Sequence, residues 1–350
     1  MAAPIINWRR AIGTPRHTTS AVLTSPRGNA MDDRVREAIE AMESSTGTRP
    51  GYRRAHARGL VVRGSFRARP EAAALTTAEH FQGTDIPVVA RLSNAAGNPF
   101  APDRDSDTVG KALGFGTRFQ LGSGAVAAWA AVSLPAFPAR TPGDFLRVTR
   151  AQKPLFGIKP NPLKILAYLA SRPSIFPTIK AIAQLKPAAS FATVVYNGIH
   201  TYFFVDAKGE RHPFRYCWVP RAGSVTLSPA ESRALPGQYL LDEMRTRVGK
   251  GPVQWDLTLQ FPGPADALDD ASRAWPAERR TLLAGTLTVS SVDSDQRAGE
   301  PWVFDPTNVV PGLERSEDPL LAFRASVYSE SYRRRAQETR QEPPPPDMGQ

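Results

Sequence analysis

A chain of 350 residues is long enough to bury a large core, as one big β-barrel domain or two smaller ones. At 41% hydrophobic and 22% charged it has the composition of an ordinary globular protein, while 33 prolines imply many loops and short elements. The net charge of +11 suits nucleic acid, an anionic membrane surface or acidic small molecules, but no basic stripe with interleaved aromatics marks a nucleic-acid reader. An excess of arginine and proline also accompanies a general compositional bias, which is the plainer reading of the charge.

Cys217 is the single cysteine, which rules out an intrachain disulfide and a thiolate cluster; redox chemistry would need an external cofactor. No run of apolar residues is long enough to span a bilayer. The N-terminal MAAPIINWRRAIGTPRH lacks a continuous apolar stretch, so no secretory signal is expected and the cytoplasm is the default location.

Residues 1–50 read as an arm: a loose stretch, a short helix from Asp32 to Met42, then the turn-rich STGTRPGYRR. From Ala55 the texture changes to short apolar runs broken by glycine and proline. LVVRGSF, IPVVARLSNAAG, GKALGFGTRFQL, HTYFFVD, HPFRYCWVP, PVQWDLTLQF and LAGTLTVSSV each read as strands. TYFFVDAKGERHPFRYCW alternates around a Lys-Gly turn and predicts a hairpin. Many strands without regular intervening helices predict an antiparallel barrel or sandwich.

Between Thr141 and Leu185 the period changes. TPGDFLRVTRAQ, NPLKILAYLASR and SIFPTIKAIAQL carry helical spacing, kept short by prolines at 154, 160, 162, 173 and 177. This basic, amphipathic patch predicts a helical layer beside the barrel, and a peripheral lipid contact is the other reading. No internal repeat is present, and the tail ending QEPPPPDMGQ has few groups to bury and is expected to be disordered from residue 336 onward.

Near the C-terminus, Arg324 and Tyr328 stand four residues apart on a helical segment and so share one face. A free phenol titrates near ~10, and an arginine beside it favours the phenolate, an anion suited to ferric iron. Any basic amphipathic helix shows the same spacing, so the pair alone is a weak signal. The five histidines, at 17, 56, 80, 200 and 212, supply candidate proton carriers near neutral pH.

The longer string FDPTNVVPGLERSEDPLLAFRASVYSESYRRR, from Phe304 to Arg335, resembles the proximal heme segment of the heme catalases. The resemblance covers roughly residues 50 to 335 and is nearest to the minimal, catalase-related peroxidases. It implies an α+β fold: an antiparallel β-barrel of about eight strands, with flanking helices and a C-terminal helix bearing the heme ligand. Residues 51–335 would then form the heme-binding domain, between the arm and the tail.

The same resemblance implies heme b as cofactor, Tyr328 as axial ligand and Arg324 as its charge partner. RRAHARG is similar to the family's distal segment, which makes His56 the general base and Arg53 a propionate partner. VVARLSNAAG is similar to the strand bearing Arg91, a second propionate partner, and Ser93, which would fix the tautomer of His56. Gly110 and Gly114, in DSDTVGKALGFGTRF, would let backbone approach the heme edge or another strand. In AVSLPAFPARTPGDF, Ser133 stands where catalases have a distal asparagine, and Phe145 matches the aromatic that covers a heme face. His200 would lie on the barrel away from the iron.

The activity implied is heme-dependent reduction of hydrogen peroxide or an organic hydroperoxide by a small-molecule electron donor, with weak catalase activity. Rearrangement of fatty-acid hydroperoxides and non-catalytic heme binding are the alternatives. No nucleic-acid partner and no membrane span are expected, and a homo-oligomer is left open.

Overall fold

The computed structural model describes residues 26–105, 111–156, 160–299 and 301–341. Nine strands form one antiparallel sheet: β1 (Gly59–Ala68), β2 (Asp85–Asn94), β3 (Leu113–Gln120), β4 (Val126–Val132), β5 (Tyr196–Val205), β6 (Arg211–Pro220), β7 (Val253–Gln260), β8 (Thr281–Val292) and β9 (Leu313–Arg315). The order β4-β3-β2-β1-β8-β7-β6-β5 closes through a β4–β5 bridge at Val132 and Asn197. The short β9 pairs with β5 at Tyr202–Phe204, beside that seam. The expected eight-stranded barrel is therefore present, with one small strand added where the closing ladder is thin.

Two strands carry little sequence signal. β4 reads VAAWAAV, and alanine, which has low strand propensity, occupies four of its seven positions. Burial of Trp129 within an aromatic cluster holds it in place, with Trp129 stacked on Tyr202 and tilted against Tyr216. β9 is three residues long. The predicted β5–β6 hairpin forms as read: Gly209 sits at φ +82°, and the Asp206 carboxylate accepts from the Lys208 and Glu210 amides.

The barrel is filled with side chains. Leu60, Val62 and Phe66 of β1, Val88, Ala90 and Leu92 of β2, and Phe115 and Phe119 of β3 join Trp129, Tyr216, Trp218 and Trp255 in one buried core. Because side chains alternate across a strand, Arg91 and Ser93 of β2 and Gly114 and Gly116 of β3 face away from that core. They are nevertheless enclosed, because a helical layer covers this side of the barrel.

The helices are α1 (Pro26–Thr46), α2 (Pro70–Ala73), α3 (Pro142–Ala151), α4 (Pro162–Ser171), α5 (Phe176–Ala183), α6 (Pro229–Ala234), α7 (Tyr239–Lys250) and α8 (Pro319–Gln341). The three helices predicted between Thr141 and Leu185 are α3, α4 and α5. α3 and α4 start where a polar cap precedes a proline: Thr141 accepts from the Asp144 amide, and Asn161 from the Lys164 amide. Val35, Ala38 and Ile39 of α1, Leu146 of α3, and Leu320, Phe323 and Val327 of α8 make a second apolar cluster.

Two expected boundaries are corrected. The helix expected from Asp32 to Met42 is the longer α1, which starts at Pro26, ends at Thr46 and is clamped to α8: Arg334 pairs with Glu43 at 3.0 Å. Nor does order end at residue 335, since α8 continues to Gln341. The buried Arg54 accounts for this, as its guanidinium binds both Glu43 and Glu338. Residues 1–25 and 342–350, and with them the expected absence of a signal segment and the proline-rich end, lie outside the described residues, as does Gly110.

Candidate heme site

One cavity of about 840 Å³ lies between the outer face of the barrel and the helices. His56, Arg53, Arg91, Ser93, Phe145, Arg324 and Tyr328, seven of the eight residues singled out from the sequence, line it. They come from four places: the loop before β1, strand β2, helix α3 and helix α8.

His56 adopts φ +54°, a left-handed conformation rare for a residue with a side chain. Arg91 holds it there, donating to the carbonyls of His56 at 2.7 Å and Ala57 at 3.0 Å. The imidazole Nδ1 lies 2.9 Å from the Ser93 hydroxyl, which leaves Nε2 for a ligand. Ser93 and Gly114 are direct ladder partners on β2 and β3, and a Cβ on Gly114 would stand 2.6 Å from His56 Cε1. Gly114 thus makes room for the histidine ring. Gly116 does the same for Phe304, at the start of the FDPTNVVPG run. Burial, reinforced by the positive fields of Arg91, Arg324 and Arg53, pushes His56 down to about 3, so the ring is neutral at physiological pH.

On the helix side, Arg324 donates to the Tyr328 phenol oxygen through Nη2 at 2.5 Å and Nε at 3.2 Å. The one-turn spacing read from the sequence therefore brings the two groups together. Burial works against the guanidinium charge, but Tyr328, Tyr202 and Tyr216 raise the Arg324 pKa, and it stays cationic.

Two further residues line the cavity without having been assigned to the site from the sequence. His200, expected on the barrel away from the iron, is one of the residues that line the cavity. Its Nδ1 is 2.8 Å from Asp318, and its pKa is lowered by burial and by the nearby Arg324, against the opposing pull of Asp318. A register irregularity between Gly198 and Tyr202 marks this stretch of β5, and no spacing rule links residues 118 positions apart. Arg335, buried at 6% exposure, also lines the cavity. The spacing of Arg324, Tyr328, Ser331 and Arg335 follows a single helix face, so that signal was available.

Ser133 is the correction. Its hydroxyl accepts from the Leu113 amide at 2.9 Å, and the residue does not line the cavity. It follows the end of β4, and its backbone amide also bonds the Leu113 carbonyl, so the side chain is spent on the strand junction. Val132 and Leu134 form the wall at this point, and Val132 is the ladder partner of Gly114, beside His56.

The donor set fits a large, flat, dianionic ligand. Five arginines (53, 54, 91, 324 and 335) and no carboxylate side chain are found among the described residues that line the cavity. Its remaining wall is largely apolar, with Phe137, Phe145, Phe304, Phe323 and Val327. An apolar macrocycle with two propionates matches both properties, and the Tyr328 side chain lines the cavity as a candidate oxygen ligand for its iron. A filled antiparallel barrel, a neutral histidine held by a serine and an arginine-bound tyrosine define the site of a heme oxidoreductase that acts on peroxide.

The chain belongs to the catalase family, whose model matches residues 11–344. It is 33% identical over 301 residues to a catalase-related peroxidase of Mycolicibacterium paratuberculosis, spanning 85% of this chain and 94% of that relative. A catalase-related peroxidase of Synechococcus elongatus is also 33% identical, over 85% of this chain and 88% of the relative. The crystal structure of a fungal catalase shares the fold, with a TM-score of 0.71 over 96% of this chain and 68% of that one, at 20% identity. Membership of the family implies heme binding.

Proposed function

We propose that the chain is a peroxidase carrying heme b, which reduces hydrogen peroxide or organic hydroperoxides with electrons from a small-molecule donor and has weak catalase activity. The observation that carries this reading is the convergence of the His56–Ser93 and Arg324–Tyr328 pairs on one arginine-rich cavity. Heme, when bound, supplies a ferric iron at which the peroxide O–O bond is broken. Tyr328 would provide the protein ligand through its phenol oxygen, which Arg324 holds in place by two hydrogen bonds. Arg53, Arg91 and Arg335 are placed to meet the propionates as charge-assisted partners.

Proton movement falls to His56. Neutral at physiological pH, its Nε2 takes the proton of one peroxide oxygen and returns it to the other, which departs as water or alcohol. Overall, ROOH takes two electrons and two protons to give ROH and water, and the donor is oxidised by two electrons. Ser93 keeps the ring oriented through Nδ1. A heme carrier has no need of such a proton-moving pair.

Weak dismutation follows from Val132 and Leu134 rather than from Ser133. The wall that Val132 and Leu134 form is apolar, and neither side chain can orient a second peroxide by a hydrogen bond. Among the described residues no helix is long and apolar enough to cross a membrane; the reading keeps the cytoplasm as the place of action. The deciding experiment is the absorption spectrum of the purified, heme-loaded chain, followed by oxygen release and aromatic-donor oxidation with hydrogen peroxide and an alkyl hydroperoxide. Donor oxidation exceeding oxygen release is the expected result. A chain that retains no heme, or one that releases oxygen without oxidising donors, would overturn the reading.

A further inference from the structure

Helices α4 (PLKILAYLAS) and α5 (FPTIKAIA) are apolar, with one charged residue each, yet each buries only one residue, Tyr168 and Thr178 respectively. An apolar helix in a folded protein normally hides its apolar side. Here Leu163 and Leu166 are 65% exposed, Phe176 is 55% exposed and the neighbouring Phe156 is 95% exposed. The same two helices line the heme cavity with Ile165, Ile179 and Ile182. Exposed apolar surface and cavity wall are therefore two sides of one thin helical layer.

The stretch of sequence that forms this layer carries charge of one sign. Between Asp144 and Asp206 the sequence has no acidic residue and eight cations: Arg147, Arg150, Lys153, Lys159, Lys164, Arg172, Lys180 and Lys186. The arginines are ion-paired, Arg147 and Arg172 with the buried Asp144 and Arg150 with Glu37. Lys153, Lys164 and Lys180 are exposed and make no ion pair among the described residues. Exposed apolar side chains interspersed with exposed lysines are the composition of a surface that lies in a membrane interface. A second copy of the chain is a poorer fit, because a two-fold contact sets identical lysine clusters against each other.

We propose that the α4–α5 surface docks on an anionic phospholipid bilayer, and that the cavity admits between these helices the acyl chain of a lipid hydroperoxide. The docking stands by itself. The access route rests on the peroxidase reading and narrows its organic hydroperoxide to one held in a membrane; the hydroperoxide leaves as the alcohol with water, the two electrons coming from an aromatic donor.

The test is sedimentation of the heme-loaded chain with phosphatidylcholine vesicles containing roughly one-third phosphatidylglycerol, against phosphatidylcholine alone, at physiological ionic strength. Binding should require the anionic lipid. Lys153→Gln with Lys164→Gln and Lys180→Gln should weaken partitioning on the order of 100-fold, at roughly fivefold per lysine near an anionic surface. Leu163→Ser with Leu166→Ser and Phe176→Ser should weaken it at least ~10-fold. None of these six residues lines the cavity, so hydrogen peroxide turnover should be unchanged, while reduction of a phospholipid hydroperoxide in the same vesicles falls with binding. Wild-type protein that stays in the supernatant, binding that ignores both variants, or a dimer that either variant converts to monomer would overturn the docking. Variant-sensitive binding without any peroxide reduction would instead overturn the peroxidase reading and the access route, and leave the docking supported.

Discussion

Replacing Gly114 with alanine isolates the placement of the proton carrier from its chemistry. The new methyl would lie 2.6 Å from His56 Cε1, 2.7 Å from Nδ1 and 3.1 Å from the Ser93 hydroxyl. Carbon atoms settle at about 3.5–4.0 Å, so the ring must retreat by about 1 Å. It cannot do so with its contacts intact, because Ser93 holds Nδ1 and Arg91 holds the carbonyl of the left-handed His56 backbone. A misplacement of about 1 Å can cost on the order of 10²-fold in rate, or about 2.7 kcal/mol of barrier. Rapid mixing of heme-loaded Gly114→Ala with hydrogen peroxide should show that loss, with a Soret spectrum close to wild type because Tyr328 is untouched. A wild-type rate in a variant with an unaltered spectrum would refute the role given to this strand contact.

Four further outcomes are expected. Tyr328→Phe should lose bound heme or change its spectrum profoundly, read by absorption after purification; an unchanged spectrum would move the ligand elsewhere. His56→Ala should retain heme and react with peroxide at least ~10²-fold more slowly by stopped flow, the loss expected of a general acid–base. Ser133→Ala should cost about 1 kcal/mol of stability through the lost bond to Leu113, measured by urea unfolding, and leave the ratio of oxygen release to donor oxidation unmoved. His80 is fully buried between Phe81 and Phe119, with no protein partner on either ring nitrogen, and burial pushes it down to about 3. An unfolded histidine titrates near ~6.5, so below that pH the unfolded chain takes a proton that the fold excludes, and stability falls as pH drops towards 3. His80→Leu should therefore lose about 2 kcal/mol less than wild type between about pH 6.5 and 4.5 in denaturant titrations; identical slopes would sink the argument.

Wherever a single stretch of chain carries its own periodicity, the sequence was sufficient. Alternation on β1 to β3 and β5 to β8 marks the strands, because a filled barrel needs alternate side chains pointing inward. Thr141-Pro142 and Asn161-Pro162 mark two helix starts, since cap and proline act within one turn. Arg324 and Tyr328 meet because four residues make about one turn of helix, and Arg335 lies on the same face. Their companions His56, Arg53, Arg91 and Ser93 were named through resemblance, since nothing local joins a loop to a distant strand.

Tertiary structure decided the rest. The alanine-rich β4 is a strand because its neighbours bury Trp129, and α8 runs to Gln341 because Glu338 and Glu43 share the guanidinium of Arg54. His200 meets Asp318 across 118 residues, a partnership that depends on β5 and the start of α8 packing side by side. Ser133 follows the end of β4, where its hydroxyl pairs with the Leu113 amide across the strand junction, a partnership that no sequence pattern announces. Local rules act over one or two turns of chain, whereas the direction of a side chain at a strand end is set by which buried backbone group nearby still needs a partner.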